Sequence, residues 1–200
     1  MEDGGKLVYV EGSFVRIFPI PVRIFLSQNL PVHRNRLLGK GNIMPIIRDE
    51  KKRTEIISML TRAYWMEIET VMSYIANSVN LDGVRAEEIK NSLATDITDE
   101  IRHAQLFGKR IKELYGKVPG SFEFKAEQKS LQPPAENTDV VSVIKGVIEA
   151  EQGAIDHYTN IIRACLEVDF VTADMVTKIL ADEEGHLREF EGFLREYEKR

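Results

Sequence analysis

One arrangement of residues occurs twice in this sequence, and the repeat restricts the fold more than any other feature. The segments ITDEIRHAQLF (97–107) and LADEEGHLREF (180–190) both contain Asp-Glu-x-x-His, with a Phe four residues after the His. Before each segment lies a Glu that is followed seven residues later by a Tyr. Corresponding glutamates differ by 183 − 100 = 83 and 151 − 67 = 84 positions. The repeat predicts a duplicated helical hairpin.

Four long helical segments follow residue 46, and their connections predict how they pack. The first runs from about Arg48 to Val79 and the second from about Val84 to Tyr115, with Gly116 as a stop. The third begins after a polar cluster at 137–139 and ends near Leu166; the fourth follows the connector EVDFVTAD. About twenty residues rich in Gly and Pro separate the second segment from the third. Short, long and short connections predict an all-α fold, a four-helix bundle over residues 44–200 with one long crossover.

Residues 1–43 have a different composition from the rest of the chain. KLVYVEGSFVRIFPIPVRIFL is rich in Val, Ile and Phe, is interrupted by Gly and Pro, and lacks helical periodicity. Six basic and three acidic residues give this segment a charge of +3, although the whole chain carries −5. We expect a non-helical or weakly structured N-terminal arm. A strand pair, an extended arm on a neighbouring subunit and a disordered leader are all compatible with it.

Two glutamates lie within apolar helical stripes that are expected to face the core. Glu67 and Glu151 occupy such stripes, whereas their neighbours Glu69 and Glu149 share faces with polar residues and are predicted to be solvated. A buried Glu is costly unless it is paired or binds a cation. With the repeated motif, the pattern predicts a cluster of six inward-facing residues: Glu67, Glu100, His103, Glu151, Glu183 and His186.

This cluster predicts a dinuclear metal centre. Glu-x-x-His on a helix places both side chains on one face. Four carboxylates carry a charge of −4, which two divalent cations neutralise. Oxygen-rich ligation with one imidazole for each metal suits iron or manganese better than zinc. The alternatives are two charged helix faces that happen to match, and a bundle that has these residues but binds no metal.

Residues from about 55 to 198 resemble the ferritin-like superfamily of di-iron proteins, especially bacterioferritin and rubrerythrin. The resemblance implies the four-helix fold and two bound iron ions, with manganese as the alternative metal. By position in the motif, Glu67 and Glu151 resemble terminal ligands of one metal each. Glu100 and Glu183 resemble carboxylates that bridge the two metals.

The resemblance also assigns roles to the other repeated residues. His103 and His186 resemble the histidines that bind one metal each, and these six ligands are also the candidate catalytic residues. Asp99 and Asp182 match acids that orient such histidines. The tyrosines near the centre of such sites correspond to Tyr74 and Tyr158, for which core packing is the alternative role.

Two departures from these families narrow the expected site. Ile101 stands where bacterioferritins have a haem-binding Met, so no haem is expected. Ala154 stands where rubrerythrins have an extra Glu, and the Cys-rich module of rubrerythrins is absent from a sequence with one cysteine. The predicted site is therefore closer to the symmetric bacterioferritin type.

The predicted activity is oxidation of Fe(II) by O2 or H2O2, which would serve iron handling or protection against oxidative stress. The alternatives are a di-iron oxygenase or peroxidase with another substrate, and a structural or cargo bundle that docks through its N-terminal segment. An acidic chain is not expected to bind nucleic acid, and its apolar runs are too short to span a membrane. We expect a cytoplasmic protein that forms a homo-oligomer, a dimer or larger.

Overall fold

The computed structural model describes residues 6–10, 13–17 and 46–199, within a chain that divides into two units, Met1–Asn42 and Ile43–Arg200. In the first unit, strand β1 (Lys6–Val10) pairs antiparallel with β2 (Ser13–Ile17), and Val8 lies opposite Val15. The strand pair is one of the arrangements expected for this segment. The predictions for residues 18–43 lie outside the described residues.

Four helices form the second unit: α1 (Glu50–Asn80), α2 (Glu87–Glu113), α3 (Val140–Cys165) and α4 (Phe170–Tyr197). Helix α1 packs along α2, α3 packs along α4, and the two hairpins meet through α1 against α3 and α2 against α4. The predicted four-helix bundle is confirmed. Within the described residues, no helix combines the length and the hydropathy needed to cross a membrane.

Aspartates begin three of the four helices. Asp49, Asp139 and Asp169 each accept a hydrogen bond from the backbone N–H three residues later, at 3.0 to 3.1 Å. Since Asp169 caps α4, the helix begins at Phe170, and the prediction that the connector extends through residue 174 is wrong. The first residues after the cap are helical although Phe170 and Val171 are exposed.

The C-terminal end of α2 differs slightly from the predicted Gly116 stop. The helix ends at Glu113, and Tyr115 adopts a left-handed conformation with φ of 67°. The N–H of Gly116 donates to the carbonyl of Ile111 at 2.9 Å, and that of Tyr115 donates to Lys112 at 3.0 Å. These two bonds form a Schellman motif, in which the left-handed position falls on Tyr115.

The long crossover, residues 114–139, contains one short 3-10 turn (Ser121–Glu123). Near its end, the N–H of Asp82 donates to the carbonyl of Asn137 at 2.9 Å, so α3 begins beside the α1–α2 turn. Helices α2 and α3 therefore run in the same direction. At Gly146 the crossover lies so close to α3 that a Cβ would come within 2.5 Å of the Ser130 carbonyl oxygen.

The crossover also overturns the prediction that Glu69 is solvated. Glu69 is 4% exposed, and its carboxylate accepts hydrogen bonds from the backbone N–H groups of Glu127 and Gln128 at 2.8 to 3.0 Å. The polar face of α1 is thus covered by a loop whose backbone donors need an acceptor. Glu149, on α3, is exposed as predicted.

The core consists of two apolar clusters with a polar layer between them. Along each helix, residues of one cluster precede the layer and residues of the other follow it. Phe107 and Tyr158 belong to one cluster, and Tyr74 and Phe190 to the other, and all four side chains are fully buried. The six residues predicted to face inward occupy the layer.

Candidate metal centre

The bundle brings the six predicted residues together as two overlapping groups. One group consists of Glu67, Glu100, His103 and Glu183, and the other of Glu100, Glu151, Glu183 and His186. In each group, one nitrogen or oxygen atom from every residue lies within 4.8 Å of the others. Glu100 and Glu183 belong to both groups, so the cluster has the form of two sites that share two carboxylates.

Both imidazoles direct Nδ1 toward the shared carboxylates. His103 Nδ1 lies 3.0 Å from Oε1 of Glu183 and 3.8 Å from Oε2 of Glu100. His186 Nδ1 lies 3.1 Å from Oε2 of Glu183 and 3.6 Å from Oε1 of Glu100. Glu183 thus directs one carboxylate oxygen toward each histidine. The two oxygens are therefore placed to bind two different cations.

Several atoms of this layer are buried without a hydrogen-bond partner. Oε1 of Glu100, Oε1 of Glu183 and Nδ1 of His103 are all in this state. The 3.0 Å contact between His103 and Glu183 is close, but the two groups are not aligned as donor and acceptor. Buried polar atoms rarely lack a hydrogen-bond partner, because each unpaired atom lowers the stability of the folded state by about 1–3 kcal/mol. Divalent cations would satisfy all three atoms, so these residues fit a metal pair.

The two tyrosines cross between the hairpins to hold the outer glutamates. The hydroxyl of Tyr74 on α1 donates to Glu151 on α3, and the hydroxyl of Tyr158 on α3 donates to Glu67 on α1. Each phenol leaves the second oxygen of its glutamate available. Tyr74 and Tyr158 therefore pack in the core and also contact two candidate ligands.

The outer sides of the two histidines have different surroundings. Oδ2 of Asp182 lies 3.1 Å from Nε2 of His103. Asp99 instead accepts hydrogen bonds from the guanidinium of Arg102, at 3.2 and 3.3 Å. Arg102 also donates to Asp182 at 2.8 Å. On the exposed side of His103, two aspartates are therefore joined by one arginine.

Burial and mutual charge shift the pKa values of the cluster in opposite directions. Burial, followed by the charge of Glu100, raises the pKa of Glu67 and of Glu151 well above the usual value for a carboxyl group. Burial also raises the pKa of Glu183, but contacts with His103 and His186 outweigh it and hold that pKa below its usual value. The metal-free cluster therefore holds protons and negative charge side by side.

The histidines hold protons in the metal-free chain. Burial lowers the pKa of His103 and of His186, but contacts with glutamates of the layer outweigh burial and raise these pKa values to about 10 and about 9. Both imidazoles are thus protonated at pH 7. A metal binds only the neutral imidazole and the ionised carboxylate, so it must displace these protons.

Binding of a metal pair is therefore expected to release at least the two histidine protons near pH 7. Because each displaced proton makes affinity change tenfold per pH unit, the product of the two binding constants should fall roughly 100-fold for each unit that the pH is lowered. Calorimetric titration with Co(II) in buffers of different ionisation enthalpy measures this release. Affinity that stays constant between pH 6 and pH 8 would contradict the expected protonation.

The amino-acid sequence is similar to those of known proteins. Residues 57–200 match the family model described as Ferritin, ferritin-like domain. The chain is 28% identical to a bacterioferritin of Desulfovibrio desulfuricans over 143 residues, which is 71% of this chain and 75% of that protein. It is 27% identical to the DNA protection during starvation protein of Pyrococcus furiosus over 168 residues, covering 82% and 86% of the two chains.

A solved structure agrees with the sequence relationship. The D. desulfuricans bacterioferritin, described with its diiron site in different catalytic states, superposes with a TM-score of 0.62 at 27% identity. The match covers 72% of this chain and 81% of that one. The family match over residues 57–200 includes all six candidate ligands.

Proposed function

Because this chain belongs to the ferritin-like domain family, as its match over residues 57–200 shows, we propose that the cluster binds two Fe(II) ions as substrate and oxidises them. The oxidant would be O2 or H2O2. Each pair of Fe(II) ions gives up two electrons. With two protons, these reduce O2 to H2O2, or H2O2 to two molecules of water. The relative with a diiron site in different catalytic states supports this class of reaction.

One observation carries the proposal, which is that Glu100 and Glu183 belong to both groups of candidate ligands. Each of the two also has a buried oxygen without a hydrogen-bond partner. Shared carboxylates hold two metals about 3.5–4 Å apart, the spacing at which both act on one reactant. Four carboxylates and two divalent ions also give a neutral layer, which burial favours.

Six residues would bind the two ions, and two tyrosines would orient the terminal ligands. Glu100 and Glu183 would bridge the two ions, with Glu67 and His103 completing one site. Glu151 and His186 would complete the other. The crossed hydrogen bonds from Tyr74 and Tyr158 hold the two terminal carboxylates in orientation before metal arrives. Pre-formed ligands of this kind reduce the free energy spent on ordering the site.

Anaerobic titration of the metal-free protein with Fe(II), followed by separate addition of O2 and of H2O2, tests the proposal. We expect saturation near two irons per chain, then an absorbance rise as Fe(III) forms. Parallel titration with Mn(II) identifies the preferred metal. Size measurement on the same sample distinguishes a dimer from a larger homo-oligomer. Failure to bind either metal would refute the proposed centre.

The alternative of a di-iron oxygenase or peroxidase with an organic substrate has less support. Four surface grooves among the described residues have volumes of 220 to 390 Å³, and none of them is lined by a residue of the cluster. A purely structural bundle is also poorly supported, because apolar residues of similar size would stabilise the layer as well or better. Small oxidants fit the enclosed layer best.

A further inference from the structure

The two histidines of the cluster are supported from outside by different residues. His103 has Asp182 against its Nε2 at 3.1 Å. The repeat places Asp99 in the corresponding position for His186, since 99 + 83 = 182. Among the described residues, however, the carboxylate oxygen within 4.0 Å of His186 Nε2 belongs to Asp96, through its Oδ1. The internal symmetry of the bundle is broken at this point.

Asp96 has the burial and the free acceptor that such a role requires. The residue is 6% exposed, and its Oδ2 is buried with no hydrogen-bond partner. A buried carboxylate oxygen without a hydrogen-bond partner lowers the stability of the folded state, so the burial of Asp96 requires an explanation. Asp96 has no counterpart in the second half, where the repeat places Ile179. Its presence is therefore not explained by the duplication.

Arg102 explains why Asp99 does not take the same position. Its guanidinium holds Asp99 and Asp182 together on the exposed side of His103. The repeat places Gly185 opposite Arg102, so the second half offers no corresponding cation. Asp99 is thus paired with the arginine that contacts Nε2 of His103. The acid beside His186 is Asp96, one turn earlier on α2.

We propose that Asp96 is the positioning residue for His186 and accepts the N–H of its Nε2 when Nδ1 binds metal. This inference rests on the proposed two-metal function. A metal-bound imidazole generally donates its other N–H to such an acceptor, which fixes the orientation of the ring. The 4.0 Å separation would shorten to a hydrogen bond if a metal held the ring. Catalytic hydrogen bonds are often long in unliganded sites.

The two sites should consequently be unequal. Asp182 is paired with Arg102 at 2.8 Å, whereas the negative charge of Glu189, which accepts a hydrogen bond from Ser92 at 2.9 Å, acts on Asp96. A positive charge near one site opposes a cation, and negative charge near the other attracts it. We therefore expect the first metal to occupy the site that contains His186.

Titration of the full chain with Co(II), followed by its visible absorption, tests the role of Asp96. In Asp96→Asn, one of the two ions should bind roughly 10–100-fold more weakly, while the other changes by less than about threefold. Asp99→Asn is the matched control and should leave the His186 site within about threefold of wild type. Asp96→Glu retains the carboxylate and should restore most of the lost affinity.

A double variant that also carries His186→Ala tests whether Asp96 acts through His186. Adding Asp96→Asn to His186→Ala should weaken the remaining site by less than about threefold, because the histidine it orients is gone. Equal weakening of both sites, or a larger effect from Asp99→Asn, would overturn the assignment. Thermal unfolding of each metal-free variant identifies a loss of fold. If wild type binds no Co(II), the proposed metal centre itself fails, and this inference with it.

Discussion

Glu183→Gln is expected to remove the second iron from the stoichiometry and to lower the initial rate of Fe(II) oxidation by roughly 100-fold or more. Glu183 contributes to both groups of candidate ligands and turns one oxygen toward each histidine. Outer acids that only orient ligands already account for about 10–100-fold in affinity. Loss of a carboxylate shared by two cations should therefore exceed that range.

The amide retains the shape of the side chain but removes its charge. Three carboxylates then face two divalent cations, and the layer can no longer be neutral. The change can also be followed without turnover, because a metal that binds only the folded state raises the melting temperature. We expect Fe(II) or Co(II) to raise the melting temperature of wild type and to leave that of the variant nearly unchanged.

Glu184→Gln provides the matched control. The adjacent Glu184 is exposed on the same helix, and the substitution removes the same charge one position away. Its stoichiometry and oxidation rate should stay within about twofold of wild type, since exposed charges interact weakly through solvent. Full activity in Glu183→Gln, or equal losses in the two variants, would contradict the central place given to Glu183.

Asp169→Asn is expected to lower the free energy of unfolding by about 3–5 kcal/mol. Asp169 and Arg110 are 3% and 4% exposed, and their side chains meet at 2.7 Å. Arg110 also donates to Thr172 at 2.7 Å, so its guanidinium joins α2 to the beginning of α4. Without Asp169 the buried guanidinium would keep its charge and lose its main partner.

Asparagine is chosen because it separates the ion pair from the helix cap. Asn accepts the hydrogen bond from the Thr172 N–H about as well as Asp does, so the start of α4 should remain capped. Denaturant unfolding measures the loss. Arg110→Met combined with Asp169→Asn should recover much of it, because no charge is then left buried alone. Glu113→Gln, at the exposed side of Arg110, should cost less than about 1 kcal/mol.

The same ion pair gives stability a defined dependence on pH. Burial raises the pKa of Asp169, but hydrogen bonds from Thr172 and Arg110 outweigh it and hold the pKa below its usual value. A carboxyl group with a lowered pKa in the folded state stabilises that state above its unfolded pKa. The contribution is lost as pH falls through the folded pKa. In Asp169→Asn, this part of the acid sensitivity should be absent.

The candidate ligands within the repeat could be predicted from the sequence because they recur at nearly the same spacing in both halves. Helical periodicity predicts that Glu67 and Glu151 face the core, and the structure places both in the buried layer. The Glu-x-x-His spacing likewise predicts that both side chains of each pair lie on one face of a helix. Periodicity describes one helix at a time, however, and it predicts burial only where another helix provides the cover.

Glu69, Asp96 and Asp169 show where this reasoning ends. Glu69 is buried by the crossover, whose path over α1 is not encoded in the periodicity of α1. Asp96 is a single aspartate with no repeated counterpart, so it becomes notable only when its distance to His186 is known. Asp169 lies within the predicted connector, and its buried contact with Arg110 joins residues 59 positions apart. Such long-range polar contacts leave no local pattern.

The crossed bonds from Tyr74 and Tyr158 bear on how the duplication is held together. Each hairpin carries a phenol that serves the carboxylate of the other hairpin, and lacks one for its own. A single hairpin would complete neither bond, whereas two identical hairpins related by a twofold axis would complete both. The two hairpins of the bundle therefore depend on each other, since each needs the phenol of the other to orient its outer glutamate. The dependence does not require identical halves, because Arg102 and Asp96 have no counterparts in the other half.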